Sequence, residues 1–305
     1  MARLNRRVST AAYRRITFVA LVALYAIVVT GALVRLTGSG LGCSDWPRCS
    51  KSRFIDVSTG HGAIEQINRL FTGVVAFSVV LAVLASLRLE ARRRSLTWLS
   101  LGLVGGVLAQ VVIGGVVVLT GLNPWANMAH FLVSMVLLAN ALILHRSASS
   151  GGANAPAANS AVPSGVRRES INAIAVVVFG MCALVTGTVV TATGPHAGDE
   201  DAVRFGFAIS SVARVHSITV IATLSAVVLL LVRSRRKGGS GAGALEEKAR
   251  VLLGLGLLQA FIGYVQYFAD VPALLVAFHV ALAAGVWLAL VDLATVAVSW
   301  AKRDV

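Results

Sequence analysis

Apolar residues fill eight stretches of this chain, over 16–36, 67–87, 96–120, 126–145, 170–193, 207–232, 249–269 and 272–298, with short polar segments between them. Runs of about 20 apolar residues are long enough to cross the hydrocarbon core of a bilayer. A helix suits that solvent because it satisfies its backbone polar groups internally. The pattern therefore predicts an all-α integral membrane protein of eight transmembrane helices. The stretch Ala148 to Ser164, rich in Gly, Ala, Asn, Ser and Pro, reads as a flexible linker. It divides the chain into a first four-helix half over 1–147, a cytoplasmic linker over 148–168 and a second four-helix half over 169–305. A shorter glycine-rich stretch, Gly238 to Gly243, falls between spans six and seven.

Composition agrees with that pattern. The 305 residues are 57% hydrophobic and 13% charged, with a mean hydropathy of +0.81, too little charge to cover a soluble domain of this length. A net charge of +14 raises the question of nucleic acid, but the distribution of charge answers it. Of the 27 Lys and Arg residues, 20 lie in 1–15, 88–95, 146–169, 233–250 and 299–305, the alternate inter-span segments and the two ends. That bias predicts cytoplasmic N- and C-termini, and no nucleic-acid-binding motif is present. The first apolar run follows a basic N-terminus as a signal peptide would. It is long for an h-region and lacks a small-residue cleavage pattern, so it reads as a retained first helix.

The two halves resemble each other in register. Val29-Thr30-Gly31 through Thr37-Gly38 at the end of span one matches Val185-Thr186-Gly187 through Thr193-Gly194 at the end of span five. Gln110 through Gly114 matches Gln259 through Gly263, and His130 and His279 each follow their glutamine by 20 residues. Four helices per half preserve orientation, which predicts two parallel four-helix repeats about an axis along the membrane normal. The same register sets His216 opposite Asn68.

His130, His216 and His279 then lie near the external ends of spans four, six and eight. Ionisable groups inside a membrane are costly and mark function, and imidazoles on facing helices of a bundle hold haem iron. Zinc fits less well, because no Cys/His cluster with short spacing occurs. The second half offers two histidines, His216 and His279, enough for a six-coordinate haem; the first offers His130 opposite Asn68, whose amide is a poor iron ligand. One haem would be a fixed cofactor and the other a changeable substrate. Glu65 shares a helix face with Asn68 and reads equally as a solvated boundary carboxylate or as an acid beside a reacting group. Arg69 and Arg214 would pair with haem propionates or snorkel to the interface. Cys43 and Cys49 flank Ser-Asp-Trp-Pro-Arg in an external, oxidising loop; a structural disulfide is the plainer reading and a redox-active pair the alternative. Cys182 reads as a small packing residue, His61 as a loop residue, His145 as interfacial and His196 as part of a tight outer loop.

With those residues set out, the chain resembles the bacterial heme A synthase family over essentially its whole length. The segment Thr37-Gly-Ser-Gly-Leu-Gly-Cys43-Ser-Asp-Trp-Pro47 is the most specific, and Glu65-x-x-Asn68-Arg69 is similar to the family's Glu-x-x-His-Arg motif with asparagine at the histidine position. His130, His216 and His279 match the other three family histidines. The resemblance implies oxidation of a methyl group of heme O, by successive hydroxylations, to the formyl group of heme A for terminal oxidase assembly. It implies heme b on His216 and His279, heme O as substrate in the first half, Glu65 near the reacting methyl, and a Cys43/Cys49 pair that relays electrons or stabilises the site. With Asn68 in place of histidine, the substrate haem is expected on His130 alone. A heme O synthase is the expected source of substrate, the bacterial plasma membrane the expected location with haem sites towards the outer face, and the electron acceptor and any homo-oligomer are left open. Two rivals use some of the same features: a di-haem membrane cytochrome carrying electrons from quinol, which needs neither Glu65 nor an asymmetric first half, and a transporter, which would carry its polar groups near the bilayer midplane.

Overall fold

The computed structural model describes residues 7–149, 164–237 and 242–303. Most of the expected linker, over 150–163, and residues 238–241 of the glycine-rich stretch lie outside the described residues. Eight helices run in chain order: α1 (Thr10–Leu36), α2 (Gly60–Leu87), α3 (Arg94–Leu119), α4 (Pro124–Ser149), α5 (Ser164–Thr193), α6 (Ile209–Lys237), α7 (Ala242–Phe268) and α8 (Ala273–Arg303). All eight are long and apolar enough to cross a membrane, and no strand occurs among the described residues.

Most of these helices begin before the apolar runs that announce them, because a membrane helix continues past the hydrocarbon core wherever a cap is available. Ser9 caps α1 by accepting the Ala12 N–H, and Thr59 caps α2 by accepting the Gly62 N–H at 3.0 Å. The Thr59 cap starts α2 at Gly60, so His61 lies in its first turn rather than in a loop. At the other end of α1, Gly38 takes φ +65° and the Ser39 N–H returns to the Val34 carbonyl, a left-handed stop that glycine accepts without strain.

The helices form two compact units. Helices α1 to α4, together with the segment His196–Val203, make unit 1; α5 to α8 make unit 2. Within unit 1 each helix packs on the next and α1 returns to α4; within unit 2 the same cyclic order joins α5 to α8. The buried core of unit 2 gathers Val176 of α5, Leu230 of α6, Leu245 and Leu252 of α7, and Leu293 of α8. Unit 1 buries Tyr13, Val79, Leu96, Leu103, Leu138 and Leu144 in the corresponding way, with Tyr13 Oη and Ser100 Oγ hydrogen-bonded at 3.0 Å. In both units this core occupies the helix ends remote from His130, His216 and His279. Tight side-chain packing therefore closes one end of each unit.

Candidate functional site

At the other end of unit 2, α6 and α8 present His216 and His279, each about two turns into its helix. The two rings lie close enough to interact electrostatically. The hydroxyl of Thr186, on α5, is 3.1 Å from His216 Nδ1 and 3.0 Å from the Thr219 hydroxyl, so the ring is held from its Nδ1 side. Glycine makes room for it: a Cβ on Gly187 would stand 3.1 Å from His216 Cε1. His279 is seated in the same way on α7, where a Cβ on Gly263 would stand 3.0 Å from its Cε1. Gln259 donates to the His279 carbonyl at 3.0 Å and fixes the helix pair at that level. His279 Nδ1 is buried without a hydrogen-bond partner among the described residues. The exposure this half-buried residue retains therefore lies away from Nδ1.

Unit 1 repeats part of this arrangement. Gln110 donates to the His130 carbonyl at 2.9 Å, a Cβ on Gly114 would stand 3.3 Å from His130 Cε1, and His130 Nδ1 is buried and unpartnered among the described residues. On α1 and α2 the pattern changes. Thr30, the counterpart of Thr186 in the sequence register, donates to Asn68 Oδ1 at 2.8 Å. The short Asn68 side chain leaves Gly31 with nothing within 4 Å of the place a Cβ would take.

A loop built on the Cys43–Cys49 disulfide closes over this part of unit 1; its S–S distance is 2.03 Å. Glu65, buried on α2, accepts the Cys43 N–H at 2.7 Å and two N–H groups of Arg69, Nε at 2.9 Å and Nη2. Arg69 Nη1 reaches the carbonyls of Asp45 and Arg48, both at 3.2 Å. The pair thus clamps the loop to α2 through backbone groups. The clamped loop lays Trp46 on α3, where a Cβ on Gly115 would stand 2.9 Å from the indole. Gly42 crosses the first turn of α2 so closely that its Cβ would stand 2.3 Å from the His61 carbonyl oxygen. The His61 ring meets Ser39 Oγ at 2.9 Å.

Several expectations meet different surroundings. Arg69 directs four of its five N–H groups to Glu65 and the loop carbonyls of Asp45 and Arg48. Glu65 is a buried, ion-paired carboxylate and not a solvated boundary group. Arg214 is exposed on α6. Cys182 is exposed on α5 and does not pack inside unit 2. His145 lies at the far end of α4, with Nδ1 3.1 Å from the Thr17 hydroxyl and its ring against Phe18. His196 opens the segment His196–Val203 of unit 1. Arg35, which neither motif nor spacing singles out, stands half-buried in the last turn of α1. No cluster of three or more His, Cys, Asp or Glu among the described residues could hold a lone metal ion.

The family model COX15-CtaA, described as cytochrome oxidase assembly protein, matches residues 14–291 of the chain. The chain belongs to this family. Curated relatives of similar sequence are the heme A synthases of Geobacillus thermodenitrificans, 37% identical over 109 residues; Lysinibacillus sphaericus, 34% over 126; and Bacillus pumilus, 35% over 130. Those alignments take in 35%, 41% and 42% of this chain, and the chain spans 33%, 41% and 41% of the respective relatives. Family membership and the eight helices together describe a multi-pass membrane protein of cytochrome oxidase assembly.

Proposed function

We propose that this protein acts as a heme A synthase in the bacterial plasma membrane, oxidising a methyl group of heme O to the formyl group of heme A. The observation that carries this reading is the contrast between Gly187 and Gly31. In unit 2 an imidazole occupies the space over the glycine; in unit 1 that space is open. A protein that only relays electrons has no use for an open face.

The residues of unit 2 fit a resident heme b. His216 and His279 supply two imidazoles within reach of each other, glycines seat both rings, and the Thr186 contact on Nδ1 leaves Nε2 of His216 for iron. A haem held on both sides there would supply one-electron transfer. In unit 1 heme O would be the substrate, delivered by a heme O synthase. His130 would hold its iron from one side, with a glycine seat like that of His279. Asn68 would leave the opposite face free, its carbonyl oxygen being taken by Thr30. Glu65 and Arg69 then act as positioning residues: they fix the loop that sets Trp46 against α3, beside the Gly114 seat of His130. The four-plus-four repeat, supported by the paired Gln–His and Gly–His contacts, would explain how one scaffold came to carry both a cofactor and a substrate site.

The direct test is to express the chain beside a heme O producer and chromatograph the extracted haems. Heme A appearing only in the presence of the chain is the expected result. Heme O alone, with the protein folded and carrying haem, would overturn the assignment.

A further inference from the structure

An arginine at the end of a membrane helix ordinarily extends its head into the interface. Arg35 does otherwise. Gly198, at φ +112°, lies over its stem, where an added Cβ would stand 3.1 Å from Arg35 Cγ. The surrounding cap is a small buried cluster of Leu122, Ala197 and Ala202. Under that cap the guanidinium has no hydrogen bond or ion pair to any described residue. The Asp199 side chain of the covering segment accepts the Asp201 N–H. Arg35 is half-buried under this cap; a cation held there without a counter-charge is expensive to keep, and such a group inside a membrane protein marks a ligand site.

Its place on α1 says which site. Arg35 follows Gly31 by four residues, so the two rise from one helix face about 6 Å apart along the axis. Nothing lies within 4 Å of the place a Cβ on Gly31 would take, and Arg35 lies one turn further along that face. The register of the sequence puts Thr191 at the matching position of α5, so the charge is particular to unit 1.

We propose that Arg35 is an anion anchor of unit 1, binding a carboxylate of the ring substrate held there by His130. The planar guanidinium fork matches a carboxylate in two parallel N–H···O bonds. The same chemistry would take the phosphate of a lipid headgroup, and the carboxylate is favoured because Arg35 shares a helix face with Gly31, over which unit 1 is open. The proposal rests on the reading that unit 1 binds a haem.

The test titrates the purified protein, with its resident haem, with ferric protohaem and with protohaem dimethyl ester, whose carboxylates are capped. The wild type should bind the free acid more tightly than the ester. Arg35→Gln should weaken the free acid roughly 10- to 100-fold, as for loss of a charge-assisted bond, and leave the ester unchanged; Arg35→Lys should retain part of the preference. An intact resident-haem spectrum verifies folding, and Arg35→Gln should raise the Tm of the substrate-free protein by removing an uncompensated charge. An unaltered preference for the acid in Arg35→Gln overturns the proposal alone. So does a variant whose only change is lost binding of phosphatidylglycerol, compared with phosphatidylcholine, in nanodiscs. Failure of the wild type to take up either ring overturns the haem reading of unit 1 and the proposal with it.

Discussion

Over Gly187 in unit 2 lies the ring of His216, tied at Nδ1 to Thr186; over Gly31 in unit 1 lies nothing within 4 Å, and Thr30 is tied to Asn68. The remaining contacts of the two units run parallel, with a glutamine on a histidine carbonyl and a glycine under a histidine ring in each. One position therefore separates a site closed on both sides from a site closed on one. The loops differ as well: an ion pair and a disulfide hold the one in unit 1, whereas Arg204 donating to the Gly194 and Pro195 carbonyls braces unit 2. The covalent bond and the ion pair thus lie in the unit where asparagine stands in the place of His216.

The strongest way to break this comparison is to exchange the two residues. Asn68→His should fill the space over Gly31, gain the Thr30 contact and turn the haem of unit 1 low-spin, with loss of turnover. His216→Asn or His279→Ala should abolish the low-spin signal of unit 2, and His130→Ala should erase the spectrum of the unit 1 haem. Electron-paramagnetic and visible spectra of the four variants decide it; an unchanged low-spin signal in both unit 2 variants would remove the assignment. Next in size is the clamp. Glu65→Ala leaves Arg69 without its partner in a buried setting and should cost about 3–5 kcal/mol in unfolding free energy, while Glu65→Gln should cost less, keep haem and lose heme A formation. Wild-type product yield from Glu65→Gln would reduce the residue to a fastening.

The glycine seats sharpen the contrast. Gly187→Ala brings a methyl against His216 Cε1 and should cost about 1–3 kcal/mol and disturb the unit 2 spectrum. Gly31→Ala meets open space and should stabilise α1 by roughly 0.5–1 kcal/mol, read as a small rise in Tm. The smallest effect is a pH dependence of the unit 1 loop. The Ser58 hydroxyl, with the Ser58 N–H and Arg53 adding to it, holds the half-buried Asp56 carboxyl below its usual range. A depressed carboxylate contributes stability above its unfolded pKa and loses it as pH falls through the folded value. Acid below about pH 4 should therefore loosen this loop before the Arg204-braced one, and Asp56→Asn should remove the difference. Hydrogen exchange at the Ser58 amide follows it.

The helices were legible because lipid imposes runs of about 20 apolar residues. Their beginnings were less so, since Thr59-Gly-His61-Gly looks like loop until the threonine is seen to cap it. The register of the repeat foretold that His130 and His279 stand in matching surroundings, each beside a glycine and a glutamine. The clamp was half visible: Glu65 and Arg69 are spaced i, i+4, yet the spacing could not show that the Cys43 N–H and two loop carbonyls complete it. Arg35 escaped altogether. Which arginine finds a partner is decided by tertiary contacts, and the only trace in the sequence is a charge standing where the other half carries Thr191.

The segment His196–Val203 lies between α5 and α6 in the chain and packs in unit 1. Its consequence belongs to biosynthesis. Helices α1 to α4 leave the ribosome before their own cap has been made, and at about 5–20 residues per second the gap from Ser149 to His196 lasts a few seconds. During that interval Leu122 is uncovered and Arg35 lacks its roof. A ring inserted co-translationally would meet unit 1 without that cover; one arriving after synthesis would meet it with the cover in place.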